Sequence, residues 1–290
     1  MTNFILEIAA FLNKLVQTGL SILKVILQSR KPDALPPCQQ KICCILANGP
    51  SLKQTLAEDL DFLVGKELVA VNNFAVSPYF KQLRPNNYVI HDLAFYFYDG
   101  IDFKNADVAQ TLKILNEEID WPINLYLQQK AKTSAYFINL AKTNSNINIV
   151  HYNTAIFEGF EGMKHWFFRQ NLAIPQTQNV LVMALFLSIK KKFEQIYLFG
   201  ADHSWHEQLH IGDRGLEIKD YHFYDTKDKD YIPIYDPQKN KMSTMSQQFT
   251  SLAKAFRGYE VLRDFAKTQQ VQVLNASKKT FIDAFPIVKI

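Results

Sequence analysis

Cysteine is scarce in this sequence: of 290 residues, only Cys38, Cys43 and Cys44 carry a thiol. Cys43 and Cys44 are adjacent in an apolar run where side chains alternate between faces, so the odd set of three provides neither a disulfide framework nor zinc-site spacing. A reduced, cytoplasm-facing protein is expected. Net charge is also small, at +4. That suits an anionic ligand or a membrane surface but falls short of the basic footprint of a nucleic-acid binder. The chain has no internal repeat and no low-complexity tract, and its start lacks the basic stretch and small-residue cleavage site of a secretory signal. What it has in quantity is apolar bulk: 48% hydrophobic residues, with 22 Phe and 13 Tyr. This is a globular composition, long enough to bury a full core as one large or two small domains.

Residues 4–28, FILEIAAFLNKLVQTGLSILKVILQ, differ from all that follows. Glu7, Lys14, Ser21 and Gln28 recur at intervals of seven, with Asn3, Gln17, Thr18 and Lys24 on or near the same side. The pattern predicts an amphipathic helix with a narrow polar stripe and a wide apolar face. Spanning a bilayer would bury Glu7, Lys14 and Lys24 in hydrocarbon. A helix lying in the headgroup plane, followed by Arg30 and Lys31, fits better and predicts a peripheral protein on the inner face of the cytoplasmic membrane. The alternative is a helix packed on its own domain or on a second subunit of a homo-oligomer. The proline-rich stretch KPDALPPCQQ (31–40) reads as a linker, which leaves residues 41–290 as one catalytic body.

From Lys41 onward, short apolar strands alternate with helical patterns. Strands are expected at Ile42–Ala47, Leu68–Asn72, Tyr88–His91, Ile123–Leu127, Ile147–His151, Gln195–Phe199 and Val271–Leu274. Helices are expected at Leu52–Leu63, Thr133–Ala141, Val180–Lys192 and Gln247–Lys267. This order predicts an α/β fold: a Rossmann-like, mostly parallel sheet with helices on both faces. Each expected strand runs into polar residues, among them Asn48, Asn72-Asn73, His91-Asp92, Asp202-His203 and Asn275. In a parallel sheet all of these ends lie on one edge, where ligands bind at the switch point.

The first of these ends, Asn48-Gly49-Pro50-Ser51, has the make-up of a turn opening a helix. Gly49 permits a sharp turn, Pro50 sets the helix entry, and Ser51 with Gln54 has capping-box spacing. Helix amides there would face an anion such as a nucleotide phosphate, with Asn48 beside them. A well-capped helix after an ordinary turn explains the same residues.

NGPSL (Asn48–Leu52) after a first strand, EQIYLFGAD (Glu194–Asp202) late in the chain, and VAVNNF (Val69–Phe74) together resemble the bacterial lipooligosaccharide sialyltransferases. The same pattern is similar to the related motility accessory factors and 6-hydroxymethylpterin diphosphokinase-like domains. The resemblance implies a variant GT-A arrangement, a CMP-sugar donor and no metal cofactor. It also implies nucleotide contacts from Asn48 and from Asn72 or Asn73, with Ser51 nearby; the turn at Gly49 and the strand-end Asn275 join them as nucleotide-binding candidates by their place on the same edge. The family's tyrosine after the GAD strand, its arginine before the helix at Val180 and its histidine ahead of the last helix have no counterparts here.

A base is therefore sought in ADHSWHEQLHIGDRG (Ala201–Gly215). Its three imidazoles, His203, His206 and His210, lie with Glu207 on one side if the segment is helical, a possible metal set. A histidine general base is the preferred reading, with His203 first, His210 second, and Asp202 orienting it or holding a ribose. Surface histidines with no role are the plain alternative. Neither Asp59-Leu60-Asp61 nor Asp228-Lys229-Asp230 sits at a strand end, as a metal-binding Asp-x-Asp would. The leaving phosphate is then assigned to a closing loop carrying Arg214, Lys219, Tyr221, His222 and Tyr224. The expected function is transfer of a sugar from a nucleotide donor to a glycan or lipid-linked acceptor. Two alternatives stay open: a phosphotransferase using magnesium on Asp92 and Asp202, and a non-catalytic nucleotide-sugar-binding partner.

Overall fold

Each run expected to be a strand is one in the computed structural model, which describes residues 2–98, 105–236 and 241–290. The strands are β1 (Ile42–Leu46), β2 (Glu67–Val71), β3 (Asn87–Val89), β4 (Ile123–Gln128), β5 (Ile147–Tyr152) and β6 (Gln195–Phe199). An excursion then forms β7 (Leu209–Gly212), β8 (Gly215–Ile218), β9 (Ile232–Pro233), β10 (Tyr235–Asp236) and β11 (Lys241–Met242), before β12 (Gln272–Asn275). The main sheet has the order β12-β6-β1-β2-β3-β4-β5, and all its pairings are parallel. The chain moves outward from β1 to β5 and then returns to the other side of β1. The topological switch point therefore falls between β1 and β6.

Helices cover both faces: α1 (Thr2–Gln28), α2 (Leu52–Glu58), α3 (Leu60–Leu63), α4 (Tyr79–Leu83), α5 (Ala106–Glu117), α6 (Ala135–Thr143), α7 (Glu161–Arg169), α8 (Val180–Lys191) and α9 (Met245–Gln269). The strand pleat sends Cys43 and Ile45 into one core with α8 and α9, and Cys44 and Leu46 into the other with α2 and α5. All three cysteines are free thiols. The expected single helix over residues 52–63 is broken in two at Asp59.

α8 organises the site. It is buried from Leu181 through Ile189, as an all-round apolar helix sandwiched between sheet and partner helix must be. Its first turn lies at the carboxyl edge of the sheet. Its last residue, Lys191, reaches the opposite edge and meets the Glu67 carboxylate at 2.5 Å, with the two side chains 3% and 1% exposed. Burial pushes Glu67 upward, but Lys191, the Asn87 amide and the Gln39 backbone N–H outweigh it and hold the carboxyl below its ordinary range.

The stretch expected to be a linker makes hydrogen bonds to the body. Asp33 accepts hydrogen bonds from the His151 backbone N–H and pairs with the His151 ring, each at 2.8 Å, while the Cys38 thiol donates to the Lys191 carbonyl. Among the described residues, Phe4–Gln28 is one helix long and apolar enough to cross a membrane by length and composition.

Candidate active site

The ends of β1 and β6 meet at the switch point, and their contact explains the Asn-Gly-Pro-Ser corner. Gly49 N–H donates to the Gly200 carbonyl at 2.9 Å. A Cβ on Gly49 would overlap that carbonyl and the Asp202 carboxylate, so glycine is required for close approach more than for the turn. Asp202 accepts hydrogen bonds from Ser51 N–H at 2.9 Å and from Ser51 Oγ at 2.5 Å. The next amides, of Leu52, Lys53 and Gln54, donate to carbonyls of Gly49, Pro50 and Ser51. The entry of α2 is thus occupied by a carboxylate of the same chain, and this corrects the expectation of a phosphate there. The expected capping box is absent too: Ser51 makes no side-chain cap, and Gln54 bonds Glu58.

Beside this corner opens a cleft of about 770 Å³. The ends of β1 to β4 and β6 contribute Asn48, Asn72, His91, Gln128 and Asp202, and Thr154 follows β5. The end of β12 contributes nothing. Asn275 is fully buried and spends its amide on Thr280 Oγ1 and the Ser277 backbone N–H, so the structure corrects its nucleotide role to that of a turn anchor.

Of the two asparagines after β2, Asn72 faces the cleft from a left-handed backbone position (φ 43°), its Oδ1 accepting from His91 N–H. Asn73 instead takes a hydrogen bond from Thr111 on α5 and does not line the cleft. Asn48 donates from Nδ2 to the Val71 carbonyl, while its Oδ1 is buried without a partner among the described residues.

The opposite wall is the first turn of α8 with its collar Thr177, Gln178 and Asn179. Asn179 Oδ1 caps the helix by accepting from Val182 N–H at 3.1 Å and also accepts from the Tyr259 hydroxyl at 3.1 Å. By helix geometry, Val180 and Leu181 have no intrahelical acceptor for their N–H groups. The structure thus sets the positive pole facing the cleft at α8, not α2. Lys and Arg are missing from the lining among the described residues, which instead includes Asp92, Asp202, Asp220 and three histidines.

His203 lines this cleft, but its surroundings correct its assignment as base. The ring is 7% exposed, its Nε2 is 2.5 Å from the Tyr259 hydroxyl, and Trp205 packs on it with centroids 4.3 Å apart. Burial drives its pKa down to about 3, too weak for a base working near neutrality. Its position on Tyr259, which in turn holds Asn179, makes it a positioning residue for the α8 cap. Asp202 likewise bonds Ser51 and not a histidine; burial raises its pKa against the opposing Ser51 hydrogen bonds.

The fold also separates the three imidazoles. Residues 205–208 form one short turn and 209–218 a hairpin, so His206 packs on Phe281, and exposed His210 on Tyr231. Neither lines the cleft, which removes His210 as base. No group of three metal-ligating side chains occurs among the described residues.

The expected closing loop is only partly at the cleft. Tyr221 lines it, with its hydroxyl on Asp228. Arg214 staples the hairpin through Glu217 at 2.8 Å and the Tyr231 carbonyl, and Tyr224 turns away from the lining. His222, between them, does face the cleft. Its ring stacks on Tyr224 with centroids 5.1 Å apart and 4° between planes. Asp225 lies 3.7 Å from Nδ1 and Asp220 lies 3.9 Å from Nε2. The loop is pinned by Phe223, whose N–H donates to the Asn48 carbonyl and whose ring packs on Phe74.

Acid should reveal the buried histidine. Unfolded chain protonates His203 near its ordinary value of about 6.5, whereas the folded protein holds it neutral down to about 3. The stability it contributes is complete above about pH 6.5 and is lost as pH falls, by about 1.4 kcal/mol per unit. His203→Asn, a residue that tolerates the left-handed backbone found there (φ 53°), should flatten that slope in urea unfolding between pH 6 and 4. An unchanged slope would contradict the assignment.

No protein-family model matches the sequence, and no curated protein is similar to it. Among solved structures, the chain is similar to the MAf glycosyltransferase from Magnetospirillum magneticum AMB-1, with a TM-score of 0.45 and 12% identity. That likeness covers 90% of this chain but 35% of the other, so this chain spans about a third of that protein's length.

Proposed function

We propose that the chain is a glycosyltransferase that binds a nucleotide-activated sugar in the switch-point cleft and passes the sugar to a glycan or lipid-linked acceptor. The observation that carries this reading is the α8 first turn, with its polar collar, opening into a cleft large enough for such a donor. The nucleoside lies toward Asn48 and Asn72, and the donor phosphate against the amides of α8. A lining that shows three carboxylates and, among the described residues, no Lys or Arg favours a donor with little charge on its phosphate. A cytidine monophosphate sugar carries one charge at its phosphate and meets that condition there better than a diphosphate sugar, which carries two.

His222 is the base that takes the acceptor hydroxyl proton, its ring held by Tyr224 and flanked by Asp220 and Asp225. As the acceptor oxygen bonds to the sugar carbon, the bond from that carbon to the donor phosphate breaks. The phosphate leaves with its electron pair toward the α8 amides. The phosphotransferase alternative is less well supported, because Asp202 spends both oxygens on Ser51 and Asp92 caps Ala94.

Thermal shift across cytidine, uridine and guanosine mono- and diphosphates tests the reading. CMP at about a hundredfold over its Kd should add about 2.7 kcal/mol of stability. Asn48→Ala should weaken CMP about tenfold while changing unfolding by less than about 1 kcal/mol, since losing the bond to Val71 is offset by removing an unpaired oxygen. Binding of none of the nucleotides would sink the proposal.

A further inference from the structure

We propose that α1 is a membrane-docking element that lies flat on an anionic bilayer, with its outer apolar arc in the headgroup region. The evidence is that the helix docks the wrong way round for a water-facing element. Its small polar residues face the protein: Thr18 Oγ1 accepts from Phe160 N–H at 3.0 Å, and Ser21 Oγ accepts from Glu158 N–H at 2.9 Å. Gly159 comes so close to Thr18 that a Cβ there would collide with it. Ser29 Oγ donates to the Leu172 carbonyl at 2.5 Å, and the Arg30 backbone exchanges two hydrogen bonds with Asn153.

Val25 and Ile22 pack into the core on that same side and Phe11 packs on Phe160, but a second set of large side chains points outward. Leu12, Val16, Leu20, Leu23 and Leu27 are 52%, 58%, 56%, 52% and 65% exposed. At about 100° per residue they fall with Ile5 within one arc of roughly 80°, and Ile8 and Ile26 widen the apolar face on one side. An amphipathic helix that spends its polar side on the protein leaves its apolar side needing a cover other than water.

Three observations choose a bilayer surface as that cover. The apolar arc is broader than the narrow seam of a two-helix contact and runs from Ile5 to Leu27 on its outer side. Exposed Lys24 lies about 40° beyond one edge of the arc, and exposed Arg30 and Lys31 follow the helix, which complements anionic headgroups; Lys14 lies on the opposite side of the helix. Spanning is opposed by the docking itself: Phe11 packs on Phe160 at 5.4 Å, so insertion would drag exposed Glu158 and Glu161 into hydrocarbon. α7, which begins just after Phe160, adds exposed Met163 and Trp166, three residues apart and so on one helix face. A tryptophan suits the headgroup region.

The docking does not depend on the reaction proposed above, but it fixes the cleft relative to the membrane. Asn153 precedes Thr154, and Leu172 lies two residues before Ile174; Thr154 and Ile174 both line the cleft.

The test is co-sedimentation of the full chain with phosphatidylcholine vesicles, with and without phosphatidylglycerol. Wild type should pellet with the anionic vesicles. Val16→Glu/Leu20→Glu/Leu23→Glu should bind at least about tenfold more weakly while keeping its circular dichroism and nucleotide binding. Lys24→Gln should lose about fivefold on anionic vesicles and little on neutral ones; this variant also serves if the triple variant misfolds. Wild type remaining in solution with anionic vesicles, or a triple variant that binds as wild type does, overturns the proposal. A wild-type dimer by light scattering that does not bind vesicles, and that the triple variant dissociates, would assign the face to a second copy.

Discussion

Lys191→Met is expected to lower the unfolding free energy by about 3–5 kcal/mol. Lys191 and Glu67 meet at 2.5 Å with almost no exposure, so removing the ammonium leaves a carboxylate in the core with only neutral donors. Water cannot reach it to compensate. Its pKa would climb from its present depressed position, and the deficit would deepen as pH rises through the new value. The double variant Glu67→Gln/Lys191→Met should recover much of the loss, because no buried charge is then left unpaired. Urea unfolding of wild type and the two variants measures this directly, and a loss below about 1 kcal/mol in the single variant would contradict it. The expected fall in Tm is about 10 °C for a chain of this size. The pair sits at the edge opposite the cleft but at the far end of the helix whose first turn faces it. Nucleotide affinity of the folded fraction should therefore change little, even as that fraction shrinks.

His222→Gln is expected to cut sugar transfer by about 10²–10⁴-fold while leaving CMP affinity within about twofold. The ring stacks on Tyr224, and the loop is held by Asp225, which accepts from the His222 backbone N–H at 2.6 Å, so a glutamine of similar reach keeps the loop in place without a base. Hydrolysis of the donor by water would fall in parallel if the same group activates water. His203→Asn is the contrasting variant: acting through Tyr259 and Asn179, it should alter donor affinity more than the chemical step. If His222→Gln transfers sugar at the wild-type rate, the base lies elsewhere; a matching collapse in His203→Asn with donor affinity intact would return the assignment to the buried ring.

The sheet was legible because its signal is local. Apolar runs such as Ile42–Ala47 and Gln195–Phe199 are buried on both faces of a parallel sheet, and an unbroken apolar run is what such burial demands. The cap Asn179 was legible in principle, as an asparagine directly before the apolar run Val180–Ile189. Tyr259 was not: nothing local distinguishes one tyrosine within the long helix Met245–Gln269 from another. The hairpin at 209–218 left no such local mark: His203, His206 and His210 share a face only if the segment is helical, and the chain turns at 205–208 and enters a hairpin at Leu209 instead.

The order of residues by itself determined the strands, the edge on which their polar ends gather, and the amphipathic character of residues 4–28. These follow from side-chain period and turn chemistry, which neighbours along the chain dictate. Which end of which helix faces the cleft was decided only in three dimensions. Asp202, 151 residues from Ser51 along the chain, closes the entry of α2 and leaves the first turn of α8 as the positive pole. Only the packing of Thr18 and Ser21 on the loop at 158–160 decided that the first helix shows its apolar side outward, because hydrogen bonds between distant segments choose a docking face that periodicity does not.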